Sequence, residues 1–306
     1  MQTSNSGLYE YISSLVPTDD ILTNEPMSSH TTFRVGGEAS MLVRISSPDQ
    51  LLKLIPYLND IGEPYYVIGN GSNILVGDKG YNGVILEIGS GMSDIRVEGN
   101  RIIAGAGALL SSIARAALEN DLSGLEFASG IPGSIGGGVV MNAGAYGGEI
   151  RDVVTEVEVM SVDGQLMTIS NRDMQFGYRT SIIKMRPFTV LSVTMELTPG
   201  DHTVIEDKMK ELSARRKEKQ PLEYPSAGST FKRPEGYFAG KLIMDAGMRG
   251  YTIGGAAVSE KHCGFIVNKG NATAADVYEV IQEVEERVKE RFDVTLEPEI
   301  VFLGTF

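Results

Sequence analysis

Apolar residues along this chain follow two periodicities. After the turn signal Val35-Gly36-Gly37, Met41 to Ile45 alternates and predicts a strand. SPDQLLKLIPYLNDIG predicts a helix opened by Pro48 and stopped by Gly62. PYYVIGNGSNILVGDKGYNGVILEI then reads as strand, loop, strand, turn and strand, a βαβ unit with further short strands. In RIIAGAGALLSSIARAALENDLSG a strand and tight turn lead into an amphipathic helix. Its rows are Leu109/Ile113/Ala117 and Leu110/Ala114/Leu118, with Gly124 expected as the cap. TEVEVMSVDGQLMTIS predicts a hairpin closed by Asp163-Gly164, and FTVLSVTMEL a further alternating strand. The start predicts a short peripheral helix over 8–15.

A boundary is expected at Pro199-Gly200. Beyond it, TVIEDKMKELSARRKEKQP reads as a charged, solvated helix. TAADVYEVIQEVEERVKERF reads as a helix capped by Thr273 with Asp276, its apolar face formed by Val277, Val280, Ile281, Val284, Val288 and Phe292. VTLEPEIVFLG is expected as the last strand, with Val294, Leu296, Ile300 and Phe302 on one face and Glu297 and Glu299 on the other.

Composition narrows the classes. A chain of 306 residues suits roughly two or three domains. Apolar content of 42% and charged content of 22% describe a soluble globular protein, and no apolar run reaches the roughly 18 residues of a spanning helix. The start lacks the basic and apolar regions of a secretory signal. With Cys263 the one cysteine, no internal disulfide is expected and a reducing, cytoplasmic setting is the natural one. His30, His202 and His262 are scattered, so no metal site is expected. A net charge of −13 argues against nucleic-acid binding.

The densest signal is Gly124 to Gly148, where nine of twenty-five residues are glycine. Glycine weakens helices and strands, and its use is positive φ and close backbone approach. A flexible linker would be polar, whereas this run carries Ile131, Ile135, Val139, Val140 and Met141. It reads as a buried loop whose amides cradle a ligand. Gly69-Asn70-Gly71-Ser72-Asn73 is a second candidate cradle, and two of them suggest a large phosphate-bearing cofactor. The second cradle lacks the third glycine of the dinucleotide fingerprint and leads into a strand instead of a helix, which disfavours a nicotinamide Rossmann domain.

Four stretches carry polar residues that plain structure does not require. They are FGYRTS around Arg179, PSAGSTFK around Ser229, KHCG at 261–264, and Glu299 in LEPEI. Taken alone, each has an ordinary reading as a surface ion pair, a turn cap or a solvated carboxylate. No Gly-x-Ser-x-Gly elbow surrounds Ser229, which disfavours a serine hydrolase.

GNGSNILV, GIPGSIGGGVVMNAGAYGGE, FGYRTS, AGSTFKRP, IGGAAVSEKH and LEPEI occur in one order. Together they resemble the UDP-N-acetylenolpyruvoylglucosamine reductases, also called UDP-N-acetylmuramate dehydrogenases, over about residues 25–303. The short spacing between FGYRTS and AGSTFK resembles the family's shorter, second type. Arg233, where some relatives carry asparagine, and His262-Cys263-Gly264 depart from the usual pattern and bear on the UDP contacts.

The resemblance implies an α+β fold. An N-terminal helix (1–20) would precede a two-subdomain FAD-binding region of the PCMH type (21–200, divided near 90), followed by a C-terminal α/β substrate-binding domain (201–306). It implies a cytoplasmic oxidoreductase of peptidoglycan synthesis, with NADPH as electron donor, hydride passing through the flavin to the enolpyruvyl methylene, and no membrane or obligate protein partner. Covalent-flavin relatives tether FAD through histidine or cysteine, which neither cradle contains, so the FAD is expected to be non-covalent. The implied cofactor contacts are Arg34, Gly69, Asn70, Gly71, Ser72, Asn73, Gly130, Gly133, Ser134, Gly136, Gly137, Asn142 and Gly144. The implied catalytic set is Arg179 and Glu299 flanking the substrate carboxylate and Ser229 as proton donor, with Tyr178, Lys219 and Lys261 as substrate contacts. A flavoprotein oxidase acting on another small molecule and a non-enzymatic UDP-sugar-binding module are the rival readings.

Overall fold

The computed structural model describes residues 2–306, with side chains from residue 7 onward. Its helices are α1 (Gln2–Ser13), α2 (Pro48–Asp60), α3 (Leu110–Glu119), α4 (Ile135–Met141), α5 (Ile182–Met185), α6 (His202–Lys219), α7 (Ala239–Asp245) and α8 (Ala274–Phe292). The chain divides into two compact units assembled from non-contiguous segments. The first takes residues 1–23, 41–70 and 83–214, and the second 24–40, 71–82 and 215–306.

In the first unit, Tyr65–Ile68 pairs in parallel with the Tyr81–Ile88 strand. A five-stranded antiparallel sheet is ordered Leu166–Ser170, Val154–Met160, Thr189–Glu196, Arg101–Gly105, Ile95–Glu98. The Asp163-Gly164 hairpin forms, with Met160 opposite Leu166 and Gly164 at φ 82°. Ser47 and Gln50 form a capping box at the start of α2, and Leu51, Leu54, Ile55 and Leu58 face the core.

Three local expectations change. Helix α1 begins earlier and is not peripheral. Leu8 and Ile12, four residues apart, fall on one face and are buried in this unit's core with Val16 just beyond the helix, while Tyr11 stacks on Tyr57 at 3.7 Å. Leu109 is exposed, because it is the N-cap of α3 and not part of its apolar stripe. Gly124 does not end α3: Asn120 is the C-cap and Asp121 takes the left-handed turn at φ 55°.

The second unit has its own core, in which α8 buries Val277, Val280, Ile281, Val284 and Val288 beside Phe33, Leu75 and Ile243. Thr273 and Asp276 form the expected capping box, and the Asp78 carboxylate accepts from the Ala274 and Ala275 amides at 2.8 Å each. Strands Thr252–Ile253, Ala256–Val258 and Ile266–Asn268 form an antiparallel sheet. The last strand is only Val301–Leu303, parallel to Ile74–Val76. The expected face breaks there: Leu296 and Ile300 are buried, but Phe302 is exposed and packs edge-on against Tyr278 at 5.3 Å. Period-two alternation does not survive the irregular segment at Pro298.

Candidate functional site

Within the first unit, two stretches far apart in sequence meet. The Asn70 side-chain amide donates to the Pro132 carbonyl at 2.6 Å, and a Cβ on Gly69 would overlap the Ser134 hydroxyl. Glycine at 69 thus lets the loops approach this closely without the Ser134 hydroxyl turning away. Ser134, buried, is the N-cap of α4. The cradle is pinned from below by Ile135 N to Ala108 O (2.8 Å), Gly136 N to Ala106 O (2.9 Å) and Leu110 N to Gly133 O (3.0 Å). Among the described residues, the amides of Asn70, Gly133, Ser134 and Gly137 have no protein acceptor. Gly130 and Gly144 are half-buried beside them in sequence, and Gly144 pairs with Glu149 in a two-stranded turn. Clustered unclaimed amides between glycines fit a pyrophosphate-bearing cofactor such as FAD.

Arg179 lies at the tip of a tight turn in which Gly177 bridges Thr180. It is half-buried with φ 56°. Its guanidinium donates to the Gly144 carbonyl at 3.3 Å and lies 5.3 Å from the ring of Tyr178, which is exposed. The cradle and the Arg179 turn are thus built as one assembly.

The second unit carries the remaining candidates. Gly71 has φ 57°, and a Cβ there would overlap the His30 carbonyl oxygen. Thr32 N donates to Gly71 O at 3.2 Å. Arg34 is exposed at φ 55° in the turn that follows. Ser72 is half-buried. Asn73 binds the segment bearing Glu299: its side-chain amide donates to Glu299 O at 3.1 Å and its carbonyl accepts from Val301 N at 2.9 Å.

Ser229 and Glu299 come together here through Thr230. Glu299 N donates to Thr230 O at 2.7 Å, Thr230 N to Gly264 O at 2.8 Å, and Ile266 N to the Thr230 hydroxyl at 3.1 Å. Thr230 is fully buried, whereas Ser229 is exposed and Glu299 half-buried. The two carboxylates of LEPEI separate in role. Glu297 is exposed and paired with Lys232 at 2.9 Å, which holds its pKa below the ordinary value. Lys219 is exposed in the last turn of α6. The Lys261 ammonium donates to Lys217 O at 2.7 Å and lies 3.8 Å from Glu223, which ties it to its own unit. No group of three or more potential metal ligands occurs among the described residues.

Thr230 and Ser181 carry no chemistry that sequence could flag, yet each anchors a turn bearing a candidate residue. Only the polar character of both residues inside apolar surroundings marks them.

The FAD binding domain family matches residues 39–170, and the UDP-N-acetylenolpyruvoylglucosamine reductase C-terminal domain family matches 220–303. The UDP-N-acetylenolpyruvoylglucosamine reductase of Agathobacter rectalis is 52% identical over 99% of this chain and 100% of its own length. That of Caldanaerobacter subterraneus is 51% identical over 97% of this chain and 98% of its own. The crystal structure of the Thermus caldophilus reductase superimposes with a TM-score of 0.79 at 35% identity, covering 92% of this chain and 98% of that one. The 4-ethylphenol oxidase of Gulosibacter chungangensis shares the fold over 65% of this chain and 43% of its own, with a TM-score of 0.51 at 15% identity.

Proposed function

The chain belongs to the UDP-N-acetylenolpyruvoylglucosamine reductase family, and on that premise we propose how its residues divide the work. It is an FAD-dependent oxidoreductase that reduces the enolpyruvyl group of UDP-N-acetylglucosamine enolpyruvate with NADPH, giving UDP-N-acetylmuramate for peptidoglycan. Residues 21–200 hold FAD and residues 201–306 the UDP-sugar. Because the reaction draws on nucleotide substrates, the cytoplasm is its setting.

Bound FAD would supply the chemistry of passing a hydride from NADPH to the enolpyruvyl methylene carbon. The amides of Gly69 to Asn73 take the pyrophosphate. Gly130, Gly133, Ser134, Gly136, Gly137 and Gly144 present backbone to the flavin and its ribityl chain, and Arg34 adds a cationic contact. Arg179 holds the substrate carboxylate and stabilises negative charge developing on the adjacent carbon, a role for which one preorganised donor is worth about 2.7–4 kcal/mol. A bare carboxylate would repel that charge, so Glu299 contributes either as the protonated acid or through a hydrogen bond to the developing anion. The Ser229 hydroxyl gives its proton to the carbanion carbon and regains one from water, so the substrate gains one hydride and one proton. Tyr178, Lys219 and Lys261 serve substrate binding.

The backbone link from Thr230 to Glu299 supports this reading, since it holds the residue next to Ser229 against Glu299 although the two lie near opposite ends of the reductase-matched segment. Purified enzyme should oxidise NADPH only when the enolpyruvyl nucleotide is present, and the product should be heavier by two hydrogens. NADPH consumption without that product would defeat the reading. With no histidine or cysteine in either cradle, acid precipitation should leave free flavin in the supernatant, and colour remaining with the pellet would show a covalent link.

A further inference from the structure

Asn142 is fully buried, in the left-handed conformation at φ 45°, as the C-cap of α4. All of its side-chain hydrogen-bonding groups serve the protein. The amide nitrogen donates to Glu149 Oε2 at 2.9 Å and to the Gly177 carbonyl at 3.0 Å, and the amide oxygen accepts from Arg151 N at 3.0 Å. Gly177 is the first residue of the turn that carries Arg179. The same turn is tied at its other end, where the buried Ser181 hydroxyl donates to the Val140 carbonyl at 2.9 Å. Arg179 in turn reaches Gly144 O, two residues beyond Asn142. Both ends of the arginine turn and its tip are therefore fastened to a five-residue stretch at the end of α4, and from that stretch the Asn142 side chain reaches the turn backbone.

We propose that Asn142 is a positioning residue that sets the reach of Arg179 toward the substrate carboxylate, an inference that rests on the role given to Arg179 above. An asparagine is required for two reasons. Its side chain tolerates the left-handed backbone, and only an amide can accept from Arg151 while donating to both Gly177 and Glu149. Aspartate keeps the shape and the acceptor but has no N–H for Gly177, and it places a second carboxylate against Glu149. Displacing a substrate-orienting group by about 1 Å can cost 10²-fold in rate.

The test compares wild type, Asn142→Asp, the charge-swapped double variant that combines Asn142→Asp with Glu149→Gln, and Arg179→Gln, each purified with its flavin. Three quantities are read: the thermal midpoint, anaerobic flavin bleaching by NADPH, and return of flavin absorbance on adding the enolpyruvyl nucleotide. In the double variant the amide now at position 149 can donate to the carboxylate now at position 142. The link between these two positions and the net charge are then restored, while Gly177 remains without its donor. We expect Asn142→Asp to lower the midpoint and the double variant to recover it. Bleaching should stay at the wild-type rate in both, and re-oxidation should stay slowed by about 10²-fold in both. If the double variant recovers stability and re-oxidation together, Asn142 is a structural residue only and the proposal is overturned. Wild-type re-oxidation in Asn142→Asp overturns it equally. Wild-type re-oxidation in Arg179→Gln would instead remove the role of Arg179 itself, which separates failure of the premise from failure of the inference.

Discussion

Ser229 lies on an exposed turn whose next residue, Thr230, is completely buried and hydrogen-bonded through its amide, carbonyl and hydroxyl. The hydroxyl is thus accessible to a ligand while its backbone is held. Ser229→Ala should leave flavin binding and NADPH bleaching unchanged and slow re-oxidation by the enolpyruvyl substrate by at least about 10²-fold, within the usual range for general acid catalysis. If the serine merely capped the turn, its replacement would cost about 1 kcal/mol of stability and leave both half-reactions intact. Stopped-flow measurement of the two half-reactions decides between them. Gly71 makes a different demand. Its positive φ disfavours a β-branched residue, and any Cβ meets the His30 carbonyl. Gly71→Val should purify without flavin colour and with a lowered thermal midpoint, because the clash lies inside the second unit. A variant retaining full flavin would show that this loop is an ordinary turn.

At the scale of elements, the loop from Lys261 to Gly264 joins a strand to the Thr230 anchor and carries a titratable strut. The His262 ring packs edge-on against Phe265 at 5.0 Å, and its Nδ1 accepts from Gly264 N at 3.1 Å, which requires that nitrogen to be unprotonated. Burial lowers the His262 pKa below its ordinary value of 6.5. The unfolded chain therefore takes up the proton first as pH falls, and the stability contributed by neutral His262 is complete above that value and lost as pH drops toward the folded-state pKa. His262→Gln keeps an acceptor but does not titrate, so its stability should fall less than that of wild type between pH 7 and about 5.5. Parallel urea-denaturation curves for the two proteins over that range would contradict the assignment.

Local signals made most elements legible. The Asp163-Gly164 hairpin, the capping boxes of α2 and α8, and the apolar stripe of α8 each depend on residues within a few positions of one another. What was not legible is long-range or depends on context. The burial of α1 requires Tyr57 and the rest of its core as partners, and the pairing of Val301–Leu303 with Ile74–Val76 joins segments far apart in the chain. At the site, the glycine density of both cradles was readable because positive φ and close approach demand glycine. The roles of Asn73 and Asn142 as struts were not, because an asparagine that serves the backbone has the same sequence signature as one that serves a ligand.

For the molecule as a whole, a net charge of −13 means that an anionic UDP-sugar and NADPH are received against the overall field. Local cations and backbone amides must supply the attraction, and raised salt should therefore screen long-range repulsion as well as contact pairs. The two units each have a separate core, and the FAD binding domain family and the reductase C-terminal domain family match different stretches of chain. The decisive question for this enzyme is whether electrons taken from NADPH leave through the enolpyruvyl sugar nucleotide. Under anaerobic conditions the yellow protein should bleach on adding one equivalent of NADPH and stay bleached. It should recover its flavin absorbance when UDP-N-acetylglucosamine enolpyruvate is added, with one UDP-N-acetylmuramate formed per flavin. Flavin that stays reduced after that addition, and recovers only on admitting oxygen, would show that the enolpyruvyl nucleotide is not its electron acceptor.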